Sequence, residues 1–399
     1  MAERLTRPRD VIILLKRCMA KRRPAMVWGP PGIGKSDLMQ AIADEQGRQL
    51  IDMRLLLLEP TDLKGIPFYD PDTNTMKWAQ PSELPAITTQ ADVDEGKAEL
   101  ASAEAQRDPA LIKKAKRKLD MLIKAFKFQD AILFLDEITS ASPNVQASAY
   151  QLVLNYRVGE YHLPKGVSIV CAGNRDTDRG VSFRMPSPLA NRLVHLEMGA
   201  NFEDWQKWAI QNMVHPDVVG FLTHHKHQLF TFDPKSPDKA FATPRSWAFV
   251  GDLISDNLPQ SLNTTLVAGT VGEGLAVEFT EHRRISSKMP KAEDILTGLN
   301  PPLQIKEISA LYSLTISLCY TLQDWVPRIA DPEDSLTNEQ WHHAVDCFLK
   351  YMMDNFQTEL IVLGAKTALR DYQLPINHRM LKEFIEFNNK FKHFILDDN

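Results

Sequence analysis

Apolar residues recur at helical spacing at Val11, Leu14, Leu15, Cys18 and Met19, just after Pro8, and predict a helix whose first turn holds the proline. It leads into a short apolar run at 25–28, then a glycine-rich loop, then a second helical pattern from Asp37. Further strand patterns follow at 50–54, 131–135, 167–172 and 193–196; the run Ala131-Ile132-Leu133-Phe134-Leu135 has no polar face and predicts a strand buried on both sides. Strands alternating with helices predict an α/β fold, a five-stranded parallel sheet with helices on both faces. Two interruptions separate the second and third strands. Residues 69–78 are two extended pieces joined by turn residues and predict a β-hairpin. Residues 92–107 and 109–126 predict a helical hairpin, the second helix capped by Asp108 and Pro109. In that second helix an apolar stripe through Leu111, Ala115, Leu119 and Leu122 opposes a lysine-rich side.

From about residue 201 the pattern is helical throughout. Segments 203–211, 217–229, 244–253 and 264–282 are the clearest, the last despite Gly269, Gly272 and Gly274, and prolines 290, 301 and 302 punctuate a linker before 305–322, 338–355, 359–372 and 377–396. Three parts are therefore expected: an α/β domain at 1–200 with a helical insertion at about 90–128, a helical lid at 201–284, and a helical C-terminal extension at 285–399.

Composition narrows this picture only slightly. The net charge of −5 gives no global attraction to nucleic acid or an anionic membrane. The four cysteines are scattered, no apolar run reaches the roughly 18 residues of a membrane span, and residues 1–10 are charged, so a cytoplasmic setting is expected. His224, His225 and His227 are too close in sequence to face one way around a helix, which argues against a metal site.

Chemistry enters with Gly29-Pro30-Pro31-Gly32-Ile33-Gly34-Lys35-Ser36, which fits G-x-x-x-x-G-K-[ST] between a strand and a helix. Glycines let the loop turn its backbone N–H groups toward one anion; Lys35 then reaches the β- and γ-phosphates of a nucleotide, and Ser36, followed by Asp37, takes a Mg²⁺ position at the helix N-terminus. The third strand ends in Asp136-Glu137, carboxylates suited to hold Mg²⁺ through water and to polarise an attacking water, respectively. The fourth ends in Asn174, whose amide can orient that water or bond the γ-phosphate.

This order of motifs, continued by Leu189-Ala190-Asn191-Arg192-Leu193 and Thr243-Pro244-Arg245, resembles the AAA+ ATPases of the MoxR and dynein-related branch over about residues 9–282. The resemblance implies that Asn174 is the first sensor, Arg192 an arginine finger given to the neighbouring subunit, and Arg245 a second sensor; Arg175, Arg179 and Arg184 remain rivals for the finger. It also implies an ATP-hydrolysing ring, most simply a hexamer, that remodels or activates a protein. A separate partner with a von Willebrand factor A domain often accompanies that branch. Hairpins at 69–78 and 159–162 would face a substrate, with Trp78 and Tyr161 as grips. The basic helix supports an alternative, a nucleotide-dependent DNA-binding motor or restriction-type NTPase subunit.

Overall fold

The structure is a computed structural model that describes residues 5–396 apart from 80, 82–83, 86–87, 160, 176, 179–182, 184, 256, 331–335 and 377–380. It divides into two compact units, Met1–Gly199 and Ala200–Asn399.

In the first unit the strands are β1 (Ala25–Trp28), β2 (Gln49–Arg54), β3 (Ile66–Asp70), β4 (Thr75–Ala79), β5 (Ala131–Asp136), β6 (Arg157–Val158), β7 (Tyr161–His162), β8 (Ser168–Gly173) and β9 (Val194–Glu197). Five of them form one parallel sheet in the order β2-β5-β8-β1-β9. Every residue of β5 and β8 is buried, because both central strands are covered on both faces. Arg48 ties the entry ends of three strands together. Its guanidinium donates to the carbonyls of Ala131 and Gly166 at 2.9 and 3.0 Å, and pairs with Asp130 at 3.1 Å.

The β3–β4 hairpin stands where the sequence predicts one, antiparallel with Pro67 opposite Trp78 and Tyr69 opposite Met76. The helical hairpin follows as Gln90–Gln106 and Pro109–Lys127. Asp108 caps the second helix by accepting from the backbone N–H groups of Ala110 and Leu111.

In the second unit one apolar core runs from Phe202 to Phe387, joining residues expected to lie in lid and extension. Five expected helices differ in extent. The stretch 264–282 is two helices, Gln260–Val271 and Glu273–Ser286, because Gly272 sits at φ 100° and closes one while opening the next. The stretch 217–229 is a helix only over Pro216–His224, followed by a 3₁₀ turn. The stretch 305–322 gives way to a helix that starts later and runs further, Ile308–Ala330; 359–372 to Thr358–Lys366 followed by a π turn, Thr367–Asp371; and 377–396 to Lys382–Leu396, with 377–380 outside the described residues. No helix among the described residues is long and apolar enough to cross a membrane.

Candidate nucleotide site

The loop after β1 lies at the C-terminal edge of the parallel sheet, where strand ends leave a crevice for ligands. Gly32 and Gly34 hold φ 76° and 88°, so the loop curls into the helix Lys35–Gln46, whose N-terminus has no side-chain cap. Its first-turn N–H groups and the helix dipole therefore favour an anion there. Lys35 is half-buried, and its ammonium donates to the carbonyls of Gly29 (2.7 Å) and Pro30 (3.1 Å) and to Asn174 Oδ1 (3.0 Å). The strand ends of β1 and β8 thus bring Lys35 and Asn174 together across 139 residues of chain.

Ser36 Oγ donates to Asp136 Oδ2 at 3.2 Å, and the other Asp136 oxygen accepts from the Glu137 N–H at 2.8 Å. A hydroxyl and a buried carboxylate side by side are hard oxygen donors, and this pair fits Mg²⁺ coordination, directly or through water. Glu137 itself is at φ 55°, a left-handed conformation that a residue with a Cβ pays for in strain, and one typical of functional turns. Asp52 on β2 is a third carboxylate at this edge that the sequence pattern did not single out. Partial burial and then the Asp136 charge raise its pKa, with Arg54 opposing.

The family model of the ATPases associated with various cellular activities (AAA) matches residues 25–194. This stretch has the AAA+ fold. No curated protein matches the chain in sequence. Solved structures similar to it include a Cytophaga hutchinsonii protein described as a candidate ATPase, at 10% identity over 99% of this chain and 90% of that chain, with a TM-score of 0.32. A RuvB variant from Thermotoga maritima has 13% identity, coverage of 72% and 73%, and a TM-score of 0.34. NtrX from Brucella abortus in complex with ADP has 11% identity, coverage of 97% and 67%, and a TM-score of 0.36.

Within the AAA+ fold Arg192 stands apart from the loop. Parallel pairing sets Val194 beside Ala25 and Glu197 beside Trp28, so Arg192 precedes the entry of β9 while the loop follows the exit of β1. That is roughly 13 Å of strand plus two residues, more than an arginine side chain spans. Arg192 is exposed, with no side-chain partner among the described contacts. Its rival Arg175 is committed elsewhere: its guanidinium holds the buried Asp178 carboxylate through Nε and Nη2, both at 2.9 Å. Arg179 and Arg184 lie outside the described residues. Arg245 is exposed on the first turn of Pro244–Leu253 in the second unit, where Thr243 and Ser246 form a capping box.

Sequence reasoning also missed His195. Its Nδ1 accepts from Trp28 Nε1 at 2.8 Å, and its Nε2 meets the Ala190 carbonyl, also at 2.8 Å. These two bonds link Trp28, the residue before the phosphate loop, to the short helix Ser187–Ala190, which ends two residues before Arg192. Of the two expected grips, Trp78 is exposed at 42%, with Tyr69 and Met76 on the same face at 61% and 64%. Tyr161 is turned inward instead: its hydroxyl donates to the Pro85 carbonyl at 2.8 Å, its ring packs on the core, and burial pushes its pKa up.

Proposed function

We propose that the chain is an ATP-hydrolysing AAA+ ring protein of MoxR type that remodels or activates a partner protein. The observation that carries the catalytic part is the meeting of Lys35 with Asn174, and of Ser36 with Asp136, at one strand edge beside Glu137. ATP with Mg²⁺ supplies the phosphoanhydride and its neutralising charge. Loop N–H groups and Lys35 bind the phosphates, Ser36 and Asp136 hold the cation, Glu137 orients and deprotonates the attacking water, and Asn174 fixes that water or the γ-phosphate.

Arg192 supplies a guanidinium to the site of the next subunit. Its distance from its own loop supports that role, and makes turnover depend on assembly. Arg245 acts as the second sensor, and residues 201–284 and 285–399 respond together because they share a core. The exposed face of Pro67, Tyr69, Met76 and Trp78 supports the first hairpin as the client contact, the client or a separate von Willebrand factor A partner docking through apolar side chains. The scattered free cysteines agree with a cytoplasmic setting.

Replacing Glu137 by Gln tests the reading. Nucleotide binding is expected to persist while turnover falls at least about a hundredfold, the usual scale for removing a general base; undiminished hydrolysis would refute the mechanism. The same variant, trapped with ATP and used as bait, is expected to retain a protein rather than nucleic acid.

A further inference from the structure

The helical hairpin between β4 and β5 takes no part in the nucleotide site, and its two helices carry opposite charge. Gln90–Gln106 has five acids against one lysine, while Pro109–Lys127 has seven bases against one acid. Among the described residues one ion pair joins them, Lys118 Nζ to Glu99 Oε1 at 2.6 Å. The outward side of the basic helix carries Lys113, Lys114, Arg117 and Lys124, all exposed and without an ion pair among those described. On the acidic helix Asp94 and Glu95 are also exposed, Asp94 in a surface pair with Lys97 of the same helix at 3.1 Å and Glu95 one turn from Glu99 in the field of Lys118; surface pairs of this kind are weak and exchange readily for a better partner.

Relief matches charge. Met121 protrudes from the middle of the basic face at 71% exposure, and no residue of that helix is buried despite its apolar stripe. The acidic face is low, with Ala98, Ala101, Ser102 and Ala105 all exposed beside the two acids. Where the two helices meet, Gly96 is buried close against Leu119 and Leu122, and what they leave on their outer sides is charge and the protruding Met121, which a further helix would satisfy.

A nucleic acid would meet the basic helix alone and leave the low, acidic side of the hairpin uncovered. Another copy of the chain presents both faces at once. We propose that the hairpins of adjacent copies associate head to tail, the basic face of Pro109–Lys127 of one copy against the acidic face of Gln90–Gln106 of the next. Met121 seats among the small side chains, and the charges set register and partner choice. Because each copy uses two different faces, the contact is heterologous and propagates around a ring. Its closure rests on the ring proposed above; the pairing of faces does not.

Two full-length charge reversals test it, Lys113→Glu with Lys114→Glu, Arg117→Glu and Lys124→Glu in one variant, and Asp94→Lys with Glu95→Lys in the other. Sedimentation velocity with ATP and Mg²⁺ is compared at about 50 mM and about 500 mM salt, spanning Debye lengths that leave and remove surface attraction. Each variant alone is expected to associate at least tenfold more weakly than the wild type at low salt while still binding nucleotide. An equimolar mixture is expected to recover wild-type association, since each reversed face then meets an opposite one. Variants that assemble like the wild type, or a mixture that stays dissociated, would overturn the pairing. So would duplex DNA binding lost only in the basic-helix variant with assembly unchanged, which assigns the face to nucleic acid. A wild type that stays monomeric at both salts would sink the pairing and the ring reading together, whereas variants that assemble like the wild type sink the pairing alone.

Discussion

Lys35 donates to two loop carbonyls and to Asn174, so its ammonium is positioned by the strand ends rather than by its own helix. The loop was legible because its residues are contiguous and their spacing is set by the shape of a phosphate. Asp136, Glu137 and Asn174 were legible because each directly follows a strand with no polar face. The bond from Trp28 to His195 was not, since it joins positions 167 apart and depends on strand register. A buried histidine in the other unit gives a prediction at this scale. His282 is held between Ser309 Oγ at 3.1 Å and Ser313 Oγ at 3.0 Å. Burial pushes its pKa down to about 4, the neighbouring Asp217 opposing and His225 and His224 adding to the fall. An unfolded chain binds that proton near pH 6.5 and the folded chain does not, so stability is full above about 6.5 and falls as pH drops toward 4. The loss is at most about 3 kcal/mol. Denaturant unfolding between pH 7.5 and 4.5 checks this, and the slope should flatten in His282→Asn; an unchanged slope would assign the acid sensitivity to other groups.

Elements with a clean period were predicted well, and those shaped by single backbone positions were not. Both hairpins between the second and third sheet strands were visible from turn residues and caps. The break at Gly272 was not, because an apolar period continues across a glycine whatever its φ. The inward turn of Tyr161 also escaped the sequence, since an aromatic near a hairpin tip has the same local pattern whether it faces solvent or its neighbours. Gly65 governs the first hairpin in a similar way. It ends the helix Pro60–Lys64 at φ 85°, and a Cβ there would stand 1.9 Å from the Ala79 carbonyl oxygen at the hairpin's base. Gly65→Ala therefore meets both strain and a backbone clash, a cost of about 1–3 kcal/mol at a special backbone position. That cost falls on the hairpin. Limited proteolysis is expected to cleave 66–79 faster in this variant while ATP affinity stays at the wild-type level; equal cleavage would show that the base can relax around a methyl group.

At the scale of the assembly, the decisive fact is that the loop and Arg192 sit at opposite ends of neighbouring strands in one sheet. If each active site takes its loop from one subunit and its guanidinium from the next, the two halves can be inactivated in separate chains and recombined. Lys35→Ala removes phosphate binding but leaves the finger; Arg192→Ala leaves the loop but removes the finger, a loss expected to reach about 10³-fold or more in turnover. Each variant alone should be almost inactive. In a random equimolar mixture about a quarter of the heterologous interfaces join an intact loop to an intact finger, so ATPase activity should return to about a quarter of the wild-type value. Colorimetric phosphate release during titration of one variant into the other reads this directly. A mixture no more active than its parts would mean that Arg192 serves its own chain or none, and one of the remaining arginines would then have to complete the site.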